Sequence, residues 1–206
     1  MSAQRQAWQG LLEQPLSFVR PQHLRDCLPD GLSDQQRTAL RNTPRFHDRL
    51  LRVMTGHFNL PPLAQTSSPH DSDLAVLLLP PAAFKTLPRL CGAIWHSATL
   101  AREIRSDVVT QLRELLGSEV FATALAHRAL AGAADLLRQP ADLVQAIDRD
   151  GASCIAAWVQ QQPADLRAWL ALRLDLPVAD GSPIGAGVEI VRRAASTLNQ
   201  STGEAA

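Results

Sequence analysis

Apolar residues in this chain recur three and four positions apart, and almost no segment alternates apolar with polar. That spacing lays apolar side chains along one side of an α-helix, whereas a half-buried strand needs a period of two. Phe46, Leu50, Val53 and Met54 follow it. So do Leu90, Cys91, Ile94 and Trp95, and again Val108, Val109, Leu112, Leu115 and Leu116. Tyrosine is absent and aromatics make up 4% of the chain, which removes residues that strands favour. One weak strand candidate covers Leu74–Leu79. The expected fold class is all-α, a single compact domain over residues 1–206 with about nine or ten helices. A chain of 206 residues, 46% of them apolar, can bury a core without disulfide staples.

Prolines and capping residues place the helix boundaries. Expected helices cover Gln4–Glu13, Pro21–Cys27, Ser33–Arg41 and Pro44–Met54. Ser33 suits an N-cap, with Asp34 favourable in the first turn. Thr43 is expected to cap ahead of Pro44, whose missing N–H costs nothing at the first helical position. Pro88 is expected to open the next helix, through Ala98. Ser106 and Ser118 are expected caps, and Gly117 suits the left-handed residue after a helix. Pro140 is expected to open a short helix with Leu143 and Ile147 inward. Gly151–Gln162 carries no charge and is expected at the centre of the core. Pro163 begins Ala164–Arg173, and a last helix covers Ile184–Leu198. Trp158 and Trp169 are expected to be buried and close together. Residues 55–73, with Pro61-Pro62 and Ser67-Ser68-Pro69, are expected to form a mobile surface loop. Asp175–Pro183 is expected to be a loop, and the tail 199–206 to fray.

Charge and cysteine usage narrow the function class. Twenty basic residues balance twenty acidic ones, so the net charge is zero. That argues against a strongly basic nucleic-acid or membrane-surface protein. Cys27, Cys91 and Cys154 are three and far apart, as expected of reduced thiols in a cytoplasmic protein. The first residues show no apolar segment of a signal peptide. The apolar run Leu74–Ala83 is split by Pro80 and Pro81, short of the roughly 20 residues that a spanning helix needs. No direct membrane insertion is expected.

No chemistry-bearing motif is complete. His70-Asp71-Ser72-Asp73 holds triad residue types, but a triad is spatial and adjacency does not supply its geometry. Cys91, His96, His127 and Cys154 could supply four zinc ligands, yet structural zinc sites show two short paired spacings, absent here. Asp148-Arg149-Asp150-Gly151 resembles part of a calcium loop, but Ala146 and Ala157 stand where that loop needs acids. Gly185-Ala186-Gly187 lacks both the third glycine of a dinucleotide loop and a preceding strand. No catalytic residue, metal or cofactor is expected, and a binding protein is favoured over an enzyme.

One surface feature suggests docking. Arg37 and Arg41 share one helix face, and Arg45, Arg49 and Arg52 share another just after Pro44. Guanidinium groups form bidentate contacts with carboxylates and phosphates. Arg41, Arg45, Arg49 and Arg52 are the candidate partner-binding residues. A helical nucleic-acid-binding regulator using this stripe is the alternative function, opposed by the zero net charge.

A series of stretches stands in a distinctive order between Leu74 and Pro177. Leu77-Leu78-Leu79-Pro80 comes first, then Arg89-Leu90-Cys91-Gly92-Ala93-Ile94-Trp95-His96. Leu115-Leu116-Gly117-Ser118-Glu119 and Ala126-His127-Arg128-Ala129-Leu130-Ala131-Gly132 follow. Gly151-Ala152-Ser153-Cys154-Ile155-Ala156-Ala157-Trp158, Gln162-Pro163 and Leu166–Leu174 close it. In these stretches and their order the segment from Leu74 to Pro177 resembles the SctK family of type III secretion proteins, also called YscK or PscK. The resemblance implies a non-enzymatic adaptor of the sorting platform, cytoplasmic and peripheral at the inner membrane, in a virulence-associated protein-transport system. It implies a link from the cytosolic domain of the inner-membrane ring protein SctD to the pod protein SctQ. SctQ in turn leads to SctL and SctN. The family carries no catalytic residues onto this sequence.

Overall fold

A computed structural model describes residues 2–134, 139–174 and 184–204. The fold is all-α: the described residues form thirteen α-helices, three short 3-10 turns and no strand. In chain order the helices are α1 (Ala3–Glu13), α2 (Pro15–Phe18), α3 (Pro21–Cys27), α4 (Asp34–Asn42), α5 (His47–His57), α6 (Asp71–Leu77), α7 (Ala83–Trp95), α8 (Ser97–Arg102), α9 (Ser106–Leu116), α10 (Ser118–Ala126), α11 (Pro140–Gln161), α12 (Ala164–Arg173) and α13 (Gly187–Glu204). The contacts divide the chain, expected from its sequence as one domain, into two compact units. The first is Met1–Leu74 with Gln162–Asp175, and the second is Ala75–Gln161 with Leu176–Ala206.

Several boundaries differ from the sequence expectation, each for a local reason. The strand candidate at Leu74–Leu79 lies largely in α6, where Leu74, Val76 and Leu77 are all buried. An apolar run of this length cannot distinguish a buried strand from a buried helix. Pro88 lies inside α7, which starts at Ala83 with Phe84 and Leu87 already buried. The segments opened by Pro140 and Gly151 are one 22-residue helix, α11. Ser106 and Ser118 are first helical residues, and Arg105 and Gly117 hold the cap positions. Gly117 does take positive φ, +91°, which a side chain would resist. Thr43 makes no cap bond, because its hydroxyl donates to the carbonyl of Ala39. Ser33 caps α4 as expected, and Gln36 answers it in a full capping box. Helix α13 continues to Glu204, past the point where fraying was expected. The expected loop Asp175–Pro183 lies outside the described residues.

The first unit is closed by α12, a segment remote in sequence. Leu166, Trp169 and Leu170 are buried. Trp169 donates its indole N–H to the carbonyl of Pro61 at 2.9 Å, and the backbone N–H of Ser67 donates to Asp165 at 2.6 Å. Those bonds anchor the 55–73 segment expected to be a mobile loop, which also holds the end of α5, the 3-10 turn Leu63–Gln65 and the start of α6. Arg173, 5% exposed, donates to the carbonyl of Phe18 and lies 4.4 Å over its ring. Burial, and then the charge of Arg20, push the Arg173 guanidinium down to about 10, so it stays charged at neutral pH. Arg20 donates its backbone N–H to Leu172 and its Nε to the carbonyl of Arg173. Trp8 of α1 meets Phe18 edge-on at 6.0 Å.

The second unit is organised by the crossing of α7 and α11. Two glycines meet there: a Cβ on Gly92 would lie 1.8 Å from the carbonyl oxygen of Ile147, and one on Gly151 1.8 Å from that of Pro88. Only bare backbone permits this approach. Beside the crossing, Arg89 grips Asp148 through two 2.8 Å bonds, and buried His96 meets Asp150 at 2.8 Å. Gly187 opens α13 against Cys154 of α11, where a Cβ would come within 2.9 Å of its Cα. Ala93, Leu100, Leu112, Leu116, Phe121 and Ile147 form one apolar cluster. Trp158 and Trp169 are each fully buried as expected. They belong to different units, Trp158 to the second and Trp169 to the first.

Candidate partner-binding site

The arginine stripe lies in the first unit: Arg41 on the end of α4, Arg45 on the 3-10 turn Pro44–Phe46, and Arg49 and Arg52 on α5. Helix α5 turns Leu50 and Met54 inward, while Phe46, on the preceding 3-10 turn, is only half-buried. Val53 was expected on the buried face, but it is 39% exposed because it projects beside that face. Arg45, Arg49 and Arg52 project into solvent. The Arg45 guanidinium lies 4.6 Å over the Phe46 ring. Among the described residues Arg52 reaches only the carbonyl of Asp48, at 3.4 Å. Arg49 has no hydrogen bond or ion pair among the described residues. Arg37, the remaining arginine of α4, is paired with Asp34.

Arg41 differs from the other three. It is half-buried and lines a cleft of about 790 Å³ between the α1–α2 corner and α5. Leu12, Leu16, Leu51 and Leu63 give the cleft apolar walls, and Glu13, His47 and Asp48 add polar groups. His47 Nε2 meets the carbonyl of Arg41 at 2.8 Å, which ties the end of α4 to the start of α5. Among the described residues the Arg41 guanidinium makes one long bond, 3.5 Å to the carbonyl of Leu16. Four of the five guanidinium N–H groups therefore remain available. The sequence showed the stripe but not the cleft. Its walls come from four separate stretches between Leu12 and Ala64, and no local pattern brings them together.

The other candidate clusters have structural partners. His70 bonds the hydroxyl of Ser72 at 2.8 Å, and Asp71 pairs with Arg5, both at the exposed start of α6. Cys91 and Cys154 are buried, and burial raises both thiols, Cys154 to about 12. His96 bonds Asp150, and His127 meets the hydroxyl of Thr197 at 3.2 Å. Among the described residues no three His, Cys, Asp or Glu side chains stand together as a metal would need. Asp148 and Asp150 lie within α11 and face Arg89 and His96, so the calcium-like stretch is a helix-pairing element. No described helix is long and apolar enough to cross a membrane.

No family model matches the chain, and no solved structure does. Over 94 residues it is 34% identical to nodulation protein NolU of Rhizobium fredii and to the protein of the same name from Sinorhizobium fredii. The aligned stretch is 46% of this chain and 44% of each relative, so the match spans less than half the length of the curated relatives.

Proposed function

We propose that this chain is a non-enzymatic SctK-type adaptor of a type III secretion system. It joins the cytosolic domain of an SctD-type inner-membrane ring protein to an SctQ-type pod protein. Through SctQ it connects indirectly to SctL and SctN. In this reading the chain acts in the cytoplasm and reaches the inner membrane only through these partners. It works by binding without turnover.

The observation that carries the reading is the ordered set of SctK-like stretches in a structural role. Arg89–His96 and Gly151–Trp158 are the two segments that meet at the α7–α11 crossing, through Gly92 and Gly151. A resemblance in stretches that must fit one another is more specific than one in apolar texture alone. The partial match to nodulation protein NolU is compatible with a type III secretion-related role. The exposed arginines of α5 supply a contact surface suited to carboxylate-rich partners.

The test is separate measurement of binding to a folded SctD-type cytosolic domain and to a folded SctQ-type protein. Arg45→Glu with Arg49→Glu is expected to weaken one partner and leave the melting temperature unchanged, because both side chains are exposed. A stripe at the rim of the interface slows association, and one at its centre speeds dissociation. Absence of wild-type binding to both partners overturns the adaptor reading.

A further inference from the structure

We propose that the cleft beside α5 receives an acidic amphipathic helix of the partner. Its leucine-type side chains enter the cleft, and its carboxylates lie over Arg45, Arg49 and Arg52. This deepens the adaptor reading and rests on it for the identity of the partner.

Three features of the first unit point to this occupant. The cleft walls are apolar at Leu12, Leu16, Leu51 and Leu63, which suits aliphatic side chains and offers nothing to a phosphate backbone. Arg41 stands inside the cleft with most of its donors unused, so an entering segment can be fixed by one carboxylate or backbone carbonyl. Outside the cleft, Arg49 and Arg52 stand three residues apart on α5, and Arg45 stands four residues earlier on the 3-10 turn that leads into it; all three are exposed. A partner helix with acids at the same spacing can match all three arginines, with its leucines on the neighbouring face.

The charges set the sign and exclude a continuous polyanion. Four arginines stand against Glu13 and Asp48, a local excess of two positive charges in a chain of zero net charge. Asp48 lies between the cleft and the stripe on α5, so an unbroken run of phosphates crossing from one to the other meets a like charge. Separated carboxylates can avoid it.

The experiment titrates the full chain with a labelled synthetic helix peptide carrying Glu at the arginine spacing and Leu on the adjacent face, read by fluorescence anisotropy. Three controls accompany it: the peptide with Leu replaced by Ser, the peptide with Glu replaced by Gln, and a duplex DNA of similar length. The expected result is saturable binding of the complete peptide and a loss of about tenfold or more for each control. Ala64→Trp, at an exposed position in the cleft wall, fills the cleft and is expected to weaken the complete peptide about tenfold at unchanged melting temperature. If that variant folds poorly, Ser17→Trp blocks the cleft from a second exposed position. Equal binding of the Leu-free peptide, tighter binding of DNA, or indifference to both tryptophans overturns the proposal. The same variants tested against SctD-type and SctQ-type proteins separate the two readings. Wild-type binding to a partner, unaffected by either tryptophan, overturns the cleft occupant and leaves the adaptor. Absence of wild-type binding to both partners, with the peptide still bound by the wild-type chain, removes the adaptor and keeps the cleft as an acidic-helix site.

Discussion

Gly151 has a role that only its missing side chain explains. A methyl group there would overlap the carbonyl oxygen of Pro88, which is backbone and cannot rotate away. Gly151→Ala is therefore expected to force α7 and α11 apart and cost about 1–3 kcal/mol or more, measured by urea unfolding. Gly10→Ala is the control: nothing stands within 4 Å of its added methyl, and the position is exposed in α1. It is expected to be neutral or stabilising by up to about 1 kcal/mol, since alanine loses less backbone entropy in a helix. Glu103 is informative at the same scale. Hydrogen bonds from the Arg105 side chain, and then from its backbone N–H, hold the Glu103 carboxyl down to about 2. Because the folded state depresses this pKa, the pairing favours folding above the unfolded carboxyl's pKa and is lost as pH falls through about 2. Arg105 is exposed and Glu103 half-buried, so the readout is the titration itself. Carboxyl chemical shifts in an NMR pH series are expected to keep Glu103 ionised well below pH 4, and Arg105→Gln to return it to the ordinary carboxylate range.

Among the helices, those whose boundaries the sequence showed are held locally. Helix α4 buries no side chain, so its order depends on its ends. The Ser33 hydroxyl accepts from Gln36 N–H, and the Gln36 side chain accepts from Ser33 N–H. Ser33→Ala is expected to cost about 1 kcal/mol. Amide exchange is expected to speed up in α4 before it does in α7 or α11, and uniform acceleration across all three would show that α4 is held by something else. Helices α7 and α11 behave oppositely. A proline inside α7 and a glycine inside α11 both oppose helix continuity, and propensity alone divides each segment. Packing overrides it, because the mutual fit of Gly92 and Gly151 exists only if both helices continue through the crossing.

The whole chain is arranged so that its first unit is discontinuous. Met1–Leu74 lacks α12, whose Trp169, Arg173 and Asp165 bond Pro61, Phe18 and Ser67. A fragment of residues 1–74 is expected to melt without a cooperative transition, followed by circular dichroism. Joining residues 162–175 to it through a flexible linker is expected to restore one. A cooperative melt of 1–74 alone would show that α12 is dispensable to the unit. The cost of bringing the two stretches together grows only slowly with the length of chain between them, which lets a long intervening segment form its own core.

The helical class, most helix positions, the Ser33 cap and the arginine stripe are legible in the order of residues alone. Each is set by residues within a few positions of one another, where period, caps and proline act directly on the backbone. Tertiary structure alone decided the division into two units, the close crossing at Gly92 and Gly151, and the cleft that separates Arg41 from the exposed arginines. These features join residues tens of positions apart, and their energies come from side-chain fit and shared hydrogen bonds. No local spacing encodes such fit, because it exists only once the helices have met.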